Sequence, residues 1–208
     1  MTAESLSASI VSLIPAPPED LCLHFVNTRY WRGSSEATET LLNSQDLKNW
    51  IAESAGLPAA ALAKATAAMG GDCSEKIFAD AIALRESLYR VFGAIAAQAA
   101  LPDADLGRLN EALADAPSRA RLVHRDAGAV WAVRAIEATA ADLLTPVIWS
   151  AADLLAQTDH RRVRRCANDK CLWLFIDRSK AGTRRWCDMK ACGNRAKSHR
   201  HYARLKLA

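Results

Sequence analysis

No run of about 18 residues in the chain is free of charged or helix-breaking residues, which excludes a membrane-spanning helix. The first 14 residues include Glu4 but no Lys or Arg, so the basic region of a secretory signal is missing and a cytoplasmic protein is expected. There is no internal repeat, which excludes a solenoid, and no glycine-rich phosphate loop or Gly-x-Ser-x-Gly elbow, which removes two common enzyme classes. Acidic residues are almost absent from the last 48 positions, which hold 3 Asp+Glu against 15 Lys+Arg.

Across all 208 residues, half are hydrophobic and 24% are charged, enough apolar surface to offset the chain entropy that keeps disordered segments unfolded. The net charge of +4 conceals a division. Residues 1–160 hold 12 Lys+Arg and 20 Asp+Glu, a balance of −8, whereas residues 161–208 balance at +12. These figures describe an acidic body carrying a basic module.

The body reads as α+β with helix dominant. Ser44 opens a helix whose Leu47, Trp50 and Ile51 share a face and which Gly56 closes. Pro58 suits the first turn of a second helix reaching Met69. Asp72 and Glu75 have capping-box spacing before a long helix that buries Ile77, Ala81, Leu84, Leu88, Val91 and Ile95. Another short helix is predicted over 103–114. Arg121–Arg125 and Ala129–Val133 flank a glycine turn and read as a hairpin, with the alternating Leu21–Phe25 run as a candidate third strand. From Arg134 to Gln157 the pattern predicts one helix kinked near Pro146.

The basic module carries the strongest signal. Cys166-x4-Cys171 and Cys187-x4-Cys192 are two close thiol pairs separated by 15 residues. In a reducing compartment such pairs ligate metal, and four thiolates satisfy the tetrahedral preference of one structural Zn2+. They also leave no open coordination position, and no second acid or histidine cluster stands nearby, so an enzyme is not expected. Leu172–Ile176 and Arg184–Trp186 are expected to pair as a hairpin, with Trp173, Phe175 and Trp186 in a small core, and a helix is expected from Gly193 to the chain end. Knuckle, hairpin, knuckle and helix is the order of a treble-clef finger.

The runs Cys166-Ala-Asn-Asp, Trp173-Leu-Phe-Ile-Asp, Arg185-Trp-Cys-Asp-Met and Cys192-Gly-Asn-Arg-Ala-Lys resemble the CGNR zinc finger. Leu21-Cys-Leu-His-Phe-Val-Asn-Thr resembles the opening of the ABATE domain that accompanies that finger, although His24 stands where the family pattern often has an acid. The resemblance implies a bacterial stress-related transcription regulator with a DNA-binding treble clef at residues 161–208. It also implies a ligand-sensing domain at 1–160.

On residues alone, a module of charge +12 is either a nucleic-acid footprint or a zinc-stapled unit whose charge solvates it or docks on a protein partner. The DNA reading places Arg184 and Arg185 on the hairpin and Asn194, Arg195, Lys197, Arg200, His201 and Arg204 on the last helix against DNA. An RNA-binding or adaptor module is the alternative. Arg161, Arg162, Arg164 and Arg165 either follow phosphates or complement the preceding helix dipole. Asn27, Thr28 and Arg29 either line an effector pocket or cap a turn. A homodimer would double the contacts of a single finger. His24 and His124 are expected on strand faces, His199 and His201 as modulators of helix charge, Trp31, Trp50, Trp131 and Trp149 in the core or an interface, and Cys22 and Cys73 as buried thiols.

Overall fold

The computed structural model describes residues 12–67, 71–125 and 128–198. A long helix organises the body: α4 (Gly71–Ala96) presents Ile77, Ala81, Leu84, Leu88 and Val91 inward at helical spacing, all buried, each large side chain contributing about 1.5 to 3 kcal/mol. Around it pack α1 (Leu21–Val26), α2 (Ser44–Ser54) and α5 (Asp103–Asp115), with α3 (Ala59–Ala67) burying Leu62 and Ala65 in the same core. The carbonyl side chain of Asn43 caps α2 by accepting from the Gln45 and Asp46 N–H groups, one residue earlier than Ser44 would. Gly56 follows it with φ 71°, a conformation that costs glycine little. The start of α4 at Gly71 places Asp72 in its first turn rather than at its cap, and Met69 lies outside the described residues.

Three elements differ from the sequence expectation. The Leu21–Phe25 run is helical, because Leu21, Cys22, Leu23, Phe25 and Val26 are all buried and only a helix wedged between α4 and α7 (Thr145–Ala156) hides every side of so apolar a segment. His24 therefore lies on an exposed helix face, 3.8 Å from Asp20. The third strand is instead β1 (Ser12–Ile14), which pairs antiparallel with β5 (Gly128–Val133), itself paired with β4 (Arg121–Arg125), where His124 is exposed. The segment from 134 is also not one kinked helix. Thr139 caps the short α6 (Ala140–Leu143) and Pro146 lies in the first turn of α7, where its missing N–H costs nothing. Arg134 leaves the helical path to bind Asp142 at 2.6 and 2.7 Å.

No helix among the described residues is long and apolar enough to cross a membrane. Trp50 packs on Phe25, and Trp131 meets Trp149 edge to face. Cys22 is buried, which pushes its thiol up to about 12, but Cys73 is exposed on the first turn of α4.

Buried charge joins α4 to a two-stranded ribbon, β2 (Arg29–Tyr30) and β3 (Thr38–Glu39). Arg85, 1% exposed, holds Glu39 by two hydrogen bonds of 2.7 and 2.6 Å and also donates to Thr28 and Glu86. Arg32 grips Glu86 in the same manner. Burial opposes ionisation of both carboxyls, but the arginines outweigh it and hold Glu39 and Glu86 below the ordinary carboxylate range. Their folded-state values lie below the unfolded ones. Their stabilisation is thus complete above the ordinary carboxylate value of about 4.3 and is lost as pH falls through the depressed values. The urea midpoint is expected to stay level from pH 7 to about 5 and fall below that; a midpoint that rises on acidification contradicts it.

Candidate metal centre and basic face

The first knuckle is a tight turn. The Asn168 carbonyl accepts from the Cys171 and Leu172 N–H groups, its side-chain oxygen accepts from Lys170, and Leu172 completes the turn at φ 56°. In the second, the Asp188 carboxylate accepts from the Ala191 N–H and caps a wide helical turn, Met189–Gly193, which carries Cys192. Residues 194–198 continue it as α-helix. His199, Arg200, His201 and Arg204 lie outside the described residues.

These turns bring Cys166, Cys171, Cys187 and Cys192 together, with all four sulfurs within 4.8 Å of one another. Cys171 to Cys187 and Cys187 to Cys192 are each 3.7 Å. A tetrahedron with zinc–sulfur bonds near 2.3 Å has edges of about 3.8 Å, so the donor set already has the size of a zinc site. Without a cation the four sulfurs cannot all ionise: contacts from Cys171 and Cys187 hold the Cys166 thiol far below its usual range, and the same contacts push the other two up. The Asn168 amide donates to Cys192 Sγ at 3.6 Å and supplies an outer contact of the kind that orients ligands. Trp31, Trp173, Phe175 and Trp186 pack around the cluster.

The strand pairing of the module departs from the expected hairpin. β7 (Leu174–Ile176) pairs antiparallel with β6 (Val163–Arg165), the arginine-rich stretch before the first knuckle, and not with Arg184–Trp186. Apolar Val163, Leu174 and Ile176 belong to the core of the body, and that burial selects the partner. Arg184–Trp186 is held by other bonds: the buried Asp177 carboxylate accepts from the Ser179 and Arg184 N–H groups, and the Arg185 carbonyl accepts from Ala167. Burial opposes the charge on Asp177, but those donors outweigh it and keep its carboxyl below the usual range. Arg162 donates to the Ser179 carbonyl and Arg164 to those of Arg161 and Val163, so these arginines close the module's own loops.

Body and module meet along a polar seam. The Asn27 side chain copies a strand partner, donating to the Leu174 carbonyl at 2.8 Å and accepting from its N–H at 3.1 Å. Tyr89 donates to the Leu172 carbonyl, and Arg178 pairs with Glu19 and Asp20. Thr28 donates to Phe25 and accepts from Arg85, while Arg29 lies 3.9 Å from Glu86. Gly33 donates to the Lys170 carbonyl at 3.2 Å so closely that a Cβ at Gly33 would collide with the Asp169 carbonyl. Gly33→Ala is therefore expected to spread the seam and cost about 1 to 3 kcal/mol, visible as a lower thermal midpoint at unchanged zinc content; an unchanged midpoint contradicts the close packing.

The family models divide the chain where its charge divides. Residues 19–158 match the ABATE family, described as "Putative stress-induced transcription regulator", and residues 162–205 match the CGNR zinc finger. The chain belongs to the ABATE family. No curated protein matches it. Its finger carries the CGNR signature at Cys192, Gly193, Asn194 and Arg195, and the ABATE residue Asn27 touches that finger directly.

On the finger's outer surface Arg184, Arg185, Asn194, Arg195 and Lys197 are all exposed. Arg184 is fixed: its guanidinium donates to the carbonyls of Trp186 and Cys187 and lies 4.7 Å from the Phe175 ring centre. Arg185 lies over Trp186, and Arg195 over Trp31. The part of Trp31 in this face has no sequence signal, because only the seam brings residue 31 to the finger.

Proposed function

We propose that this ABATE protein is a DNA-binding transcription regulator whose zinc-stapled finger meets DNA while the ABATE domain holds the finger and senses a small effector. The supporting observation is the unneutralised charge of the finger. Of its three acids, Asp177 is fully buried and Asp188 caps a helical turn, which leaves Asp169 as the one acid without such a role against Arg185, Arg195 and Lys197 at the surface. Such a surface gains affinity by releasing counterions from phosphates. Arg184 and Arg185 approach from the loop before the second knuckle, Asn194, Arg195 and Lys197 from the helix after it.

A cleft of about 520 Å³ among α4, α5 and α6 is lined by Lys76, Arg108, Arg134, Glu111 and Glu137 and has the polarity for a small charged effector. Asn27, Thr28 and Arg29 then form the joint through which the body acts on the finger. Two copies on a symmetric site would double the phosphate contacts.

The test is duplex binding by zinc-loaded protein from 50 to 300 mM salt. Affinity should fall steeply and linearly on logarithmic axes, and Arg185→Gln and Lys197→Gln should each lower the slope by about one. Binding insensitive to salt, or none at 50 mM, overturns the reading.

A further inference from the structure

Between the first knuckle and the final helix lies an open cleft of about 620 Å³, lined by Trp31, Asn168, Lys170, Arg185, Trp186 and Arg195. Its size lies within the range of about 300 to 1,000 Å³ typical of small-molecule sites. Unlike the cleft beside α4, it combines two half-buried tryptophans with three cationic side chains, Lys170, Arg185 and Arg195, against a single acid, the exposed Asp169 of the first knuckle. No carboxylate among the described residues pairs with Arg185 or Arg195, so both guanidiniums are available to an anion. We propose that this cleft is a nucleotide pocket, in which one unpaired base of DNA stacks on Trp31 while its phosphate meets Arg185 and Arg195. The proposal rests on the DNA-binding reading and adds to it a particular place and an unpaired nucleotide.

Three observations carry it. First, the approach to the Trp31 face suits a flat group, since the planar Arg195 guanidinium already lies 4.5 Å from that ring's centre. A base takes or shares that place, because every base has a π-face and arginine stacks on it as well. Second, cations line the cleft together with the rings, with Arg185 5.5 Å from the Trp186 ring centre and Lys170 on the first knuckle. Aromatic platforms edged by positive charge are the general arrangement for unpaired nucleic acid. Third, Trp31 is held in place at a cost. Its φ of 52° lies in the left-handed region, unusual for a large residue, and the Ser34 N–H donates to its carbonyl at 2.8 Å. The Gly33 contact with the first knuckle fixes the same turn. A tryptophan serving the core alone would not require this: the ring stays half open to the cleft.

The pocket is composite, since the ABATE segment supplies Trp31 and the finger supplies Arg185, Trp186 and Arg195. The full zinc-loaded chain is therefore the material for the test. Two fluorescein-labelled DNA hairpins are compared by anisotropy, one blunt and one with a five-thymidine overhang, and thymidine 5′-monophosphate is titrated against tryptophan fluorescence. The overhang hairpin should bind about tenfold tighter than the blunt one, and the monophosphate should quench. Trp31→Ala and Arg195→Gln should each bring the overhang hairpin to the blunt level at unchanged zinc content, while Trp31→Phe, which keeps a platform and the fold, should retain most of the gain.

Equal binding of both hairpins by the parent protein would overturn the pocket and leave the DNA reading standing. Quenching by the monophosphate without binding of either hairpin would support the pocket and overturn the DNA reading. Neither quenching nor hairpin binding overturns both. A uridine ribonucleotide overhang bound tighter than the thymidine one overturns the assignment to DNA.

Discussion

Cys187→Ser is expected to release zinc and to melt the two knuckles while leaving β6 and β7 folded. A structural zinc site of this kind contributes about 10 to 16 kcal/mol of apparent binding energy in isolated finger units, and a serine hydroxyl does not replace a thiolate ligand. Loss of the ion leaves Cys166, Cys171 and Cys192 with mutual repulsion on ionising, so the turns at 166–171 and 187–192 open. The strands respond differently because Val163, Leu174 and Ile176 are buried in the main core and Asn27 still bonds Leu174. Metal analysis should fall from one zinc per chain to none. Amide exchange should accelerate at 166–171 and 184–198 and stay slow at 163–165 and 174–176. Unchanged exchange throughout, after full zinc loss, contradicts the role given to the metal.

Arg85→Met should have the second large effect, about 3 to 5 kcal/mol of stability, because it removes the cation from a buried network and leaves its carboxylates facing one another. Glu39 would keep one backbone donor, the Leu41 N–H at 3.0 Å, and Glu86 would keep Arg32. Thr28 would lose its Arg85 contact. Arg85→Lys should recover only part of the loss, since a point charge cannot hold Glu39 through two parallel bonds. Chemical denaturation at pH 7 measures both variants. A Met variant as stable as the parent would mean that desolvation of the guanidinium had cancelled all it gains.

The parts legible in the sequence were those whose signal is local. The x4 spacings marked the metal ligands, because close thiols need only a short turn to converge. α4 and α5 followed from helical spacing with stop signals at their ends, and β4 with β5 from β-rich runs about a glycine. Leu21–Phe25 misled because alternating large residues masked the equally apolar Cys22 and Val26, and burial on every side cannot be read from one segment. β7 was visible, but its partner was set by where Val163 and Ile176 find the core, more than a hundred residues from α1 in sequence. The seam was hidden for the same reason. Asn27 reads alike whether it caps a turn or bonds Leu174, and Trp31 gave no sign that it faces Arg195. After Arg134 the chain pairs with Asp142 and restarts as a helix at the Thr139 cap, a break that the Ala-rich pattern does not announce.

The strands β6 and β7 also bear on the order in which the chain can fold. A ribosome delivers the N-terminus first, so α1 and α4 emerge and pack long before residues 163–176 exist to cover them. Until then the apolar surface later hidden by Val163, Leu174 and Ile176 faces water, and Asn27 has no Leu174 to bond. Closure of the acidic body thus waits for the basic module, and a nascent chain stalled before residue 163 would present that open wall to chaperones rather than a finished domain.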